Sequence, residues 1–498
     1  MNEGPRPQPR SITHNTLFQL AMQLFGATVT AGLTIFLARV LGPDQFGILA
    51  LALSVAGLLL LPSDFGVAQS ASRFAAEHRD NREEVAEVVA SALRIKLYLA
   101  SAITIALILA AGPIASAYNE PELVWPIRAM ALTLLGQNIM GLYGSVMSAI
   151  GRSAEAFRLT VLKSIVEAIA TVTLVLIVAG ATEASLGRAI GFLAGGVFSF
   201  VLGARVLGRE ALGIGIRERH STRRIATYAG AIFIIDGAYA LFQQIDTLLI
   251  GAMLTVSAAG LFQAPIRLIS FLRYPAQSIA NGVAPRLASR TGERTAEPFR
   301  RGLRYTIVFQ AMLVAPVLVW AGPIINFLLG PAYAESADVL RALAPFVFLS
   351  GIGTLLSLGV NYLGEARRRM PIAIGTIAVN FAIDIVLIPK IGIVGAAIGT
   401  DIAFALYVAG HLWVCWRMIE LPLRPLLVSA ARSLLAAAVM AIPLLALGTD
   451  TVAVPLIFVG GLVSIAVYVA AIAVTREVPA SEFRLVLDRV TNALKSAD

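Results

Sequence analysis

The feature that most restricts this chain is a succession of apolar stretches, each long enough to cross a lipid bilayer, repeated along all 498 residues. A helix needs about 20 mostly apolar residues to cover a hydrocarbon core of roughly 30 Å. By that rule the sequence holds about fourteen spans: 15–39, 46–74, 88–112, 124–150, 157–180, 186–207, 226–251, 258–284, 303–329, 338–364, 371–389, 393–416, 428–447 and 453–475. The third and fifth are the weakest, because Arg94 and Lys96 interrupt one and Lys163 and Glu167 the other. Apolar residues make up 58% of the chain and charged ones 14%, and the mean hydropathy is +0.81. A water-soluble domain runs nearer 25% charged, so the solvent here is lipid and the fold class is all-α integral membrane.

Charge placement orients the bundle. The basic tracts fall in alternate loops and tails: Arg6 and Arg10, Arg73–Lys96, Arg152–Lys163, Arg205–Arg224, Arg286–Arg304, Arg367–Arg369, Arg417–Arg432 and Arg476–Lys495. The opposite side has Arg39, Arg128, Arg188, Arg341 and Lys390. The positive-inside rule then puts both termini in the cytoplasm, and the high basicity reads as orientation rather than as affinity for nucleic acid. The N-terminal apolar run lacks a small-residue cleavage pattern and reads as a retained first helix. After Arg476, Ser481 caps an amphipathic helix with Phe483, Val486, Leu487, Val490 and Leu494 on one face, expected on the cytoplasmic membrane surface.

The chain matches itself at an offset of 213 residues: Gly47 with Gly260, Pro62 with Pro275, Arg73 with Arg286, Arg128 with Arg341 and Gly151 with Gly364. Gly187–Gly191 matches Gly395–Gly399 at a slightly shorter offset. The repeat spans six helices, so both copies keep one orientation. It implies two six-helix lobes related by a pseudo-two-fold along the membrane normal, with a cavity between them, as in transporters that work by rocking parallel repeats. The expected organisation is a cytoplasmic tail (1–14), an N-lobe (15–207), a cytoplasmic inter-lobe loop (208–225), a C-lobe (226–416), two extra helices (428–475) and a cytoplasmic amphipathic tail (476–498).

Two groups of segments carry a family likeness. Phe36–Gly47, with Leu41-Gly42-Pro43-Asp44-Gln45-Phe46-Gly47 at its core, is followed by Ser63-Asp64-Phe65-Gly66 and Arg73. Later come Gln244–Gly251, then Ile388-Pro389-Lys390-Ile391-Gly392 with Gly395-Ala396-Ala397. In these segments the chain resembles the bacterial polysaccharide flippases, of the superfamily that also holds multidrug and toxin extruders and the peptidoglycan-precursor flippase. The resemblance implies transport of an oligosaccharide on polyprenyl pyrophosphate from the cytoplasmic to the periplasmic leaflet of the bacterial inner membrane. The substrate and membrane lipids are the implied partners, with polymerases or glycosyltransferases of the same pathway beside them.

Buried ionisable groups are the candidate chemistry, since each costs about 2.5–3.5 kcal/mol at a helix centre. Arg267 and Arg273, near the middle of the eighth span, suit a pyrophosphate because a guanidinium presents a planar fork to phosphate oxygens. A structural ion pair between Arg273 and Asp236 is the bland reading. Arg128 and Arg341 sit near outer helix ends, as release sites or as snorkelling residues. Lys163, near the cytoplasmic end of the fifth helix, receives substrate or marks the inside. Asp236, Tyr239 and Gln243 form a polar stripe on the seventh helix, while Asp246 falls near its outer end, solvated. Asp64, Glu167, Asp384 and Asp401 are further buried acids, for H⁺ or Na⁺ coupling or for helix–helix hydrogen bonds. The paired Pro62 and Pro275 suggest matched kinks, and Gly195-Gly196 and Gly351-Ile352-Gly353 suggest close helix packing.

No Walker loop, nucleophile constellation or metal-ligand spacing is present, so no cofactor, resident metal or catalytic residue is expected. Two alternatives remain open: a cation-coupled multidrug exporter of the same fold, and a membrane polymerase or ligase, which would have to work from outer loops of at most about fifteen residues.

Overall fold

The computed structural model describes residues 12–212, 221–283, 287, 296–450 and 452–478. Among them the regular structure is helical throughout, with no strand. The expected surface helix after Arg476 lies outside the described residues from 479 onward. Ten helices are long and apolar enough to cross a membrane, and the chain is a multi-pass membrane protein.

The helices run α1 (Ile12–Asp64), α2 (Val67–Glu77), α3 (Arg82–Ala117), α4 (Val124–Ala149), α5 (Ser153–Ile177), α6 (Ala181–Leu207), α7 (Ser221–Met253), α8 (Val256–Phe271) and α9 (Tyr274–Val283). They continue with α10 (Ala296–Val319), α11 (Ala321–Leu328), α12 (Ser336–Ala342), α13 (Ala344–Tyr362), α14 (Arg369–Ile391), α15 (Ile393–Ile419), α16 (Leu423–Ala446) and α17 (Val454–Val474). They sort into two compact units. One comprises Met1–Arg267 with Phe381–Ala396, the other Leu268–Asn380 with Ala397–Asp498.

The apolar part of α1, Ala21–Asp64, is 44 residues long, about 66 Å at 1.5 Å per residue, or twice a bilayer. It breaks at Gly42 (φ 68, ψ 174), where the left-handed backbone excludes most side chains. The turn is strapped by Gln45, whose amide donates to Glu122 Oε2 (2.7 Å) and accepts from Ala181 N at the start of α6 (3.0 Å). The Gly-Pro-Asp-Gln signature is therefore a turn with its own fastening.

In the first unit a core of Val67, Phe74, Val89, Leu93, Leu142 and Tyr143 joins α2, α3 and α4. Gly136 and Gly203 leave room for the Phe192 backbone and the Tyr143 ring. Gly47 and Gly260, matched in the repeat, meet each other: a Cβ on Gly47 would lie 2.0 Å from Val256 O, and one on Gly260 2.4 Å from Pro43 O and 2.8 Å from Gly47 N. Gly151 and Gly364, also matched, share the left-handed conformation (φ 79 and 81).

In the second unit Trp320, Met440, Leu444 and Tyr468 form a core that joins α10, α16 and α17. Trp320 Nε1 donates to Leu444 O (3.0 Å) and Gly448 O (3.1 Å), and Tyr468 Oη donates to Val308 O (2.6 Å). The polar ends of these aromatic rings satisfy helix carbonyls that lipid cannot. Outward-facing apolar side chains such as Leu462, Val474, Ile169 and Leu176 cover the lipid side.

Two expectations change in the structure. The third and fifth spans, the weakest by sequence, are unbroken helices in which Lys96, Lys163 and Glu167 are paired inside the protein. The eighth span, by contrast, is two helices. α8 ends at Phe271 and α9 begins at Tyr274, so Arg273 sits in the turn and does not share one helix with Arg267. Pro275 has no N–H and its ring crowds the carbonyl four residues back, which stops α8 there. The matching break in the first half comes after Pro62, at Phe65 (φ 49) and Gly66 (φ 72), so the two breaks are offset relative to their prolines.

Gly47→Ala and Gly260→Ala should each lower the melting temperature of the detergent-solubilised protein by several degrees. The added methyl meets backbone, and overpacking of this kind costs about 1–3 kcal/mol. Gly32→Ala, with open space around the new Cβ, should leave it unchanged or slightly raised.

Candidate functional site

The site starts from two glycines that let α5 and α6 touch. A Cβ on Gly187 would lie 2.4 Å from Thr171 Cα, and one on Gly191 2.4 Å from Glu167 Cβ. With the backbones that close, a side chain on one helix lies directly over the other. Glu167, 4% exposed, is held between Arg188 of α6 (Nη1–Oε1 2.7 Å) and Lys163, one turn before it on α5. Lys163 and Glu167 lie ten residues from the two ends of α5, about 15 Å or half a bilayer. Lys163 therefore lies near the middle of α5 and not near the helix end where the sequence put it. Phe192, one turn after Arg188, turns its ring toward both cations: Lys163 Nζ lies 4.0 Å and Arg188 Cζ 5.1 Å from the centroid.

Arg267 of α8 completes the cluster. It lines the same small cavity as Glu167 and Arg188, together with Thr30, Thr34 and Thr171, and lies near enough to Arg188 for the two guanidiniums to repel. The Nε atoms of Arg188 and Arg267 are both buried without a hydrogen-bond partner among the described residues. Among the described residues, Glu167 thus pairs with two cations, and a third, Arg267, lines the same cavity. Such an excess is costly when empty and suits an anion with several oxygens. The cavity holds about 40 Å³, room for water rather than a diphosphate, and the α1 residues Thr30, Leu33, Thr34 and Leu37 form part of its wall.

The other sequence-selected residues fall into separate arrangements. Asp64 accepts from Lys96 Nζ (2.5 Å), itself 1% exposed and also bonded to Asn138 O (2.9 Å). Asn138 in turn donates to Ser63 Oγ (2.7 Å), so the break after α1 is tied to α3 and α4. Asp384 of α14 hydrogen-bonds the side chain of Asp246 of α7. Asp246 is 6% exposed, which overturns its expected solvation: the side chain is buried beside Asp384.

Asp401 accepts from Phe346 N in the first turn of α13 (2.9 Å), satisfying a helix-end donor. Gln243 donates to Tyr239 Oη (2.7 Å) on one face of α7, while the Asp236 side chain lies outside the described ones. Arg341 pairs with Asp338 (2.7 Å), and Arg128 stacks over Trp125 (4.9 Å); each partner lies three residues earlier on its helix. Arg188, Lys96 and Asp246 were not selected from the sequence. Arg188 and Lys96 read as orientation charges, and the signal that could have found Arg188 is its neighbour Gly187, a position for close helix contact.

Residues 12–289 match the family described as "Polysaccharide biosynthesis protein", more than half of the chain. The chain belongs to that family. Among similar members, a "Probable low-salt glycan biosynthesis flippase Agl15" of Haloferax volcanii is 23% identical across 79% of this chain and 80% of that protein. A "Putative O-antigen transporter" of Shigella flexneri is 22% identical across 82% and 98%. The "Succinoglycan biosynthesis transport protein ExoT" of Rhizobium meliloti is 26% identical across 88% and 87%. This polysaccharide biosynthesis protein also superposes on solved structures. The "Lipid II flippase MurJ, inward closed conformation" matches with a TM-score of 0.72 at 15% identity, over 92% of this chain and 98% of that one. An inward-facing multidrug-resistance transporter of the MATE family matches at 0.67 and 14%, over 82% and 98%. These likenesses establish the fold.

Glu167→Leu should destabilise the protein by about 3–5 kcal/mol, because it strands two buried cations. Thermal unfolding in detergent measures it. Glu167→Leu combined with Lys163→Met and Arg188→Met should recover most of the loss.

Proposed function

We propose that this polysaccharide biosynthesis protein is a flippase that carries a polyprenyl-diphosphate-linked oligosaccharide across the bacterial cytoplasmic membrane. The observation that carries the reading is the gathering of three cations, Lys163, Arg188 and Arg267, beside Glu167 as the one carboxylate among the described residues there. In this reading the diphosphate bridges Arg188 and Arg267 and competes with Glu167 for them. The α1 segment Thr30–Leu37 has to withdraw to admit it, an alternating-access step. The relatives named as a glycan flippase, an O-antigen transporter and a succinoglycan transport protein support the same substrate class.

The topology we favour has fourteen crossings in two six-helix lobes plus the α16–α17 pair, with both termini cytoplasmic and the expected lobe boundaries at 15–207 and 226–416. Counting α1 as two and adding α4, α7 and the broken α8–α9 pair to the apolar spans gives that number. The contact of Gly47 with its repeat mate Gly260 supports a two-fold relation, since equivalent residues meet on such an axis. The Asp246–Asp384 pair is the coupling site in this scheme, because two carboxyl side chains meet there. Asp64, Glu167 and Asp401 are committed to Lys96, to Lys163 and Arg188, and to the α13 backbone. The multidrug transporters share the fold, yet a cavity with surplus positive charge repels the cations such exporters carry.

The test is leaflet transfer of a fluorescent polyprenyl-diphosphate sugar by the purified protein in liposomes. Wild type should exceed protein-free liposomes, Arg267→Ala should cut the rate at least tenfold, and Arg267→Lys should recover part of it, since Lys keeps the charge but not the fork. Wild-type transfer no faster than protein-free liposomes would discard the flippase reading. Asp384→Asn should leave residual transfer that no longer responds to an imposed proton gradient; an unchanged response would remove the pair from coupling.

A further inference from the structure

Beside the cationic cluster, in the same unit, lies a second cavity of about 730 Å³. That is within the ~300–1,000 Å³ of small-molecule sites and far larger than the closed space around Arg267. Its lining is largely apolar and carries no charge among the described residues, but six polar side chains reach it: the amides of Gln19 and Gln137 and the hydroxyls of Ser72, Ser145, Ser148 and Thr160, on α1, α2, α4 and α5. Gln137 and Ser148 are separated by about 16 Å along α4, so the polar groups extend from mid-helix to its end.

Two observations point to a ligand with hydroxyl groups. Ser72 Oγ and Thr160 Oγ1 donate to the carbonyls of Ser145 and Ala156 (3.3 and 3.1 Å), which leaves their lone pairs as acceptors. The Gln137 amide, half-buried on α4, makes no hydrogen bond to another described residue, so two donors and an acceptor face the cavity unused. The second observation is position. Phe192 lines this cavity, and its ring is the surface on which Lys163 and Arg188 rest. One aromatic side chain separates a neutral hydrogen-bonding space from a polycationic one.

We propose that this cavity seats the sugar joined directly to the diphosphate, and that it takes an uncharged one, a hexose or N-acetylhexosamine. The proposal rests on the flippase reading, which supplies the diphosphate on the other side of Phe192. A sugar is a dense array of hydroxyl donors and acceptors, and buried amides and hydroxyls recognise it because leaving them unpaired is unfavourable. A carboxylate on that sugar would enter a cavity with no counter-charge in its lining and lose its hydration. Selectivity for the first sugar would then reside on α4, in Gln137 and the stretch that follows.

The structure offers a substitution that fills the space without disturbing its wall. Gly144 lines the cavity, and a Cβ placed there meets nothing within 4 Å. The experiment is equilibrium binding to the purified full-length protein of four probes: polyprenyl diphosphate bare, or bearing one glucose, one N-acetylglucosamine or one glucuronate. Wild type should bind a neutral-sugar lipid about tenfold more tightly than the bare one, a difference of one or two hydrogen bonds. Gly144→Leu and Gln137→Ala should each erase most of that difference while leaving the bare lipid's affinity unchanged, which also shows that the variants are folded.

Equal wild-type affinity for bare and neutral-sugar lipids would overturn the proposal. So would a Gly144→Leu effect of the same size on both, which would assign the cavity to the polyprenyl tail, or tighter binding of the glucuronate lipid than of the neutral ones. Arg267→Ala separates the two readings. It should weaken all four probes alike, and its having no effect would sink the diphosphate site while leaving any sugar preference standing.

Discussion

A charge at the centre of a bilayer persists only where the protein itself solvates it, and in the first unit that duty falls on Glu167. It is the one carboxylate set against Lys163 and Arg188, and it reaches both because Gly187 and Gly191 bring α5 and α6 into backbone contact. Without that contact a glutamate at mid-helix would face lipid or a distant neighbour. The same pair of helices carries Phe192, which stacks under both cations and divides the charged space from the neutral one. Packing, electrostatics and the partition of cavities are thus consequences of one small-residue seam.

Charge inside this protein is used in two ways. Lys96 and Asp64 satisfy one another and their neighbours Asn138 and Ser63 at the break after α1, so they fix geometry. Arg188 and Arg267 do not reach that balance: their Nε atoms are buried without hydrogen bonds to the described residues, and the two guanidiniums lie close enough to repel. A balanced buried pair contributes little net stability, whereas an unbalanced one stores an affinity for whatever neutralises it. This difference marks one cluster as structural and the other as the candidate site for an anion.

The alternation of apolar spans and arginine-rich loops was legible in the sequence, because transfer into lipid depends on composition over about 20 residues and needs no knowledge of partners. The matched glycines of the expected repeat stood out for a related reason. Gly47, Gly151 and their mates Gly260 and Gly364 are held by local backbone demands, a close approach in one pair and a left-handed turn in the other. Arg267 stood out for its depth alone. The break at Leu272–Arg273 was not foreseen, since a proline near the middle of an apolar run reads equally as a kink or as the second residue of a new helix.

The sequence by itself determined that this chain crosses the membrane many times, which loops face the basic side, and which ionisable residues lie too deep to be solvated. Those properties follow from hydropathy and spacing along one dimension. Only the tertiary structure decided that Arg188 joins Arg267, that Lys163 lies at mid-helix, that Asp246 is buried beside Asp384, and that a neutral cavity adjoins the charged cluster. The reason is that a helix rotates a side chain by about 100° per residue. What a buried charge meets is therefore set by which helix packs on that face and how closely, a relation between segments far apart in the chain.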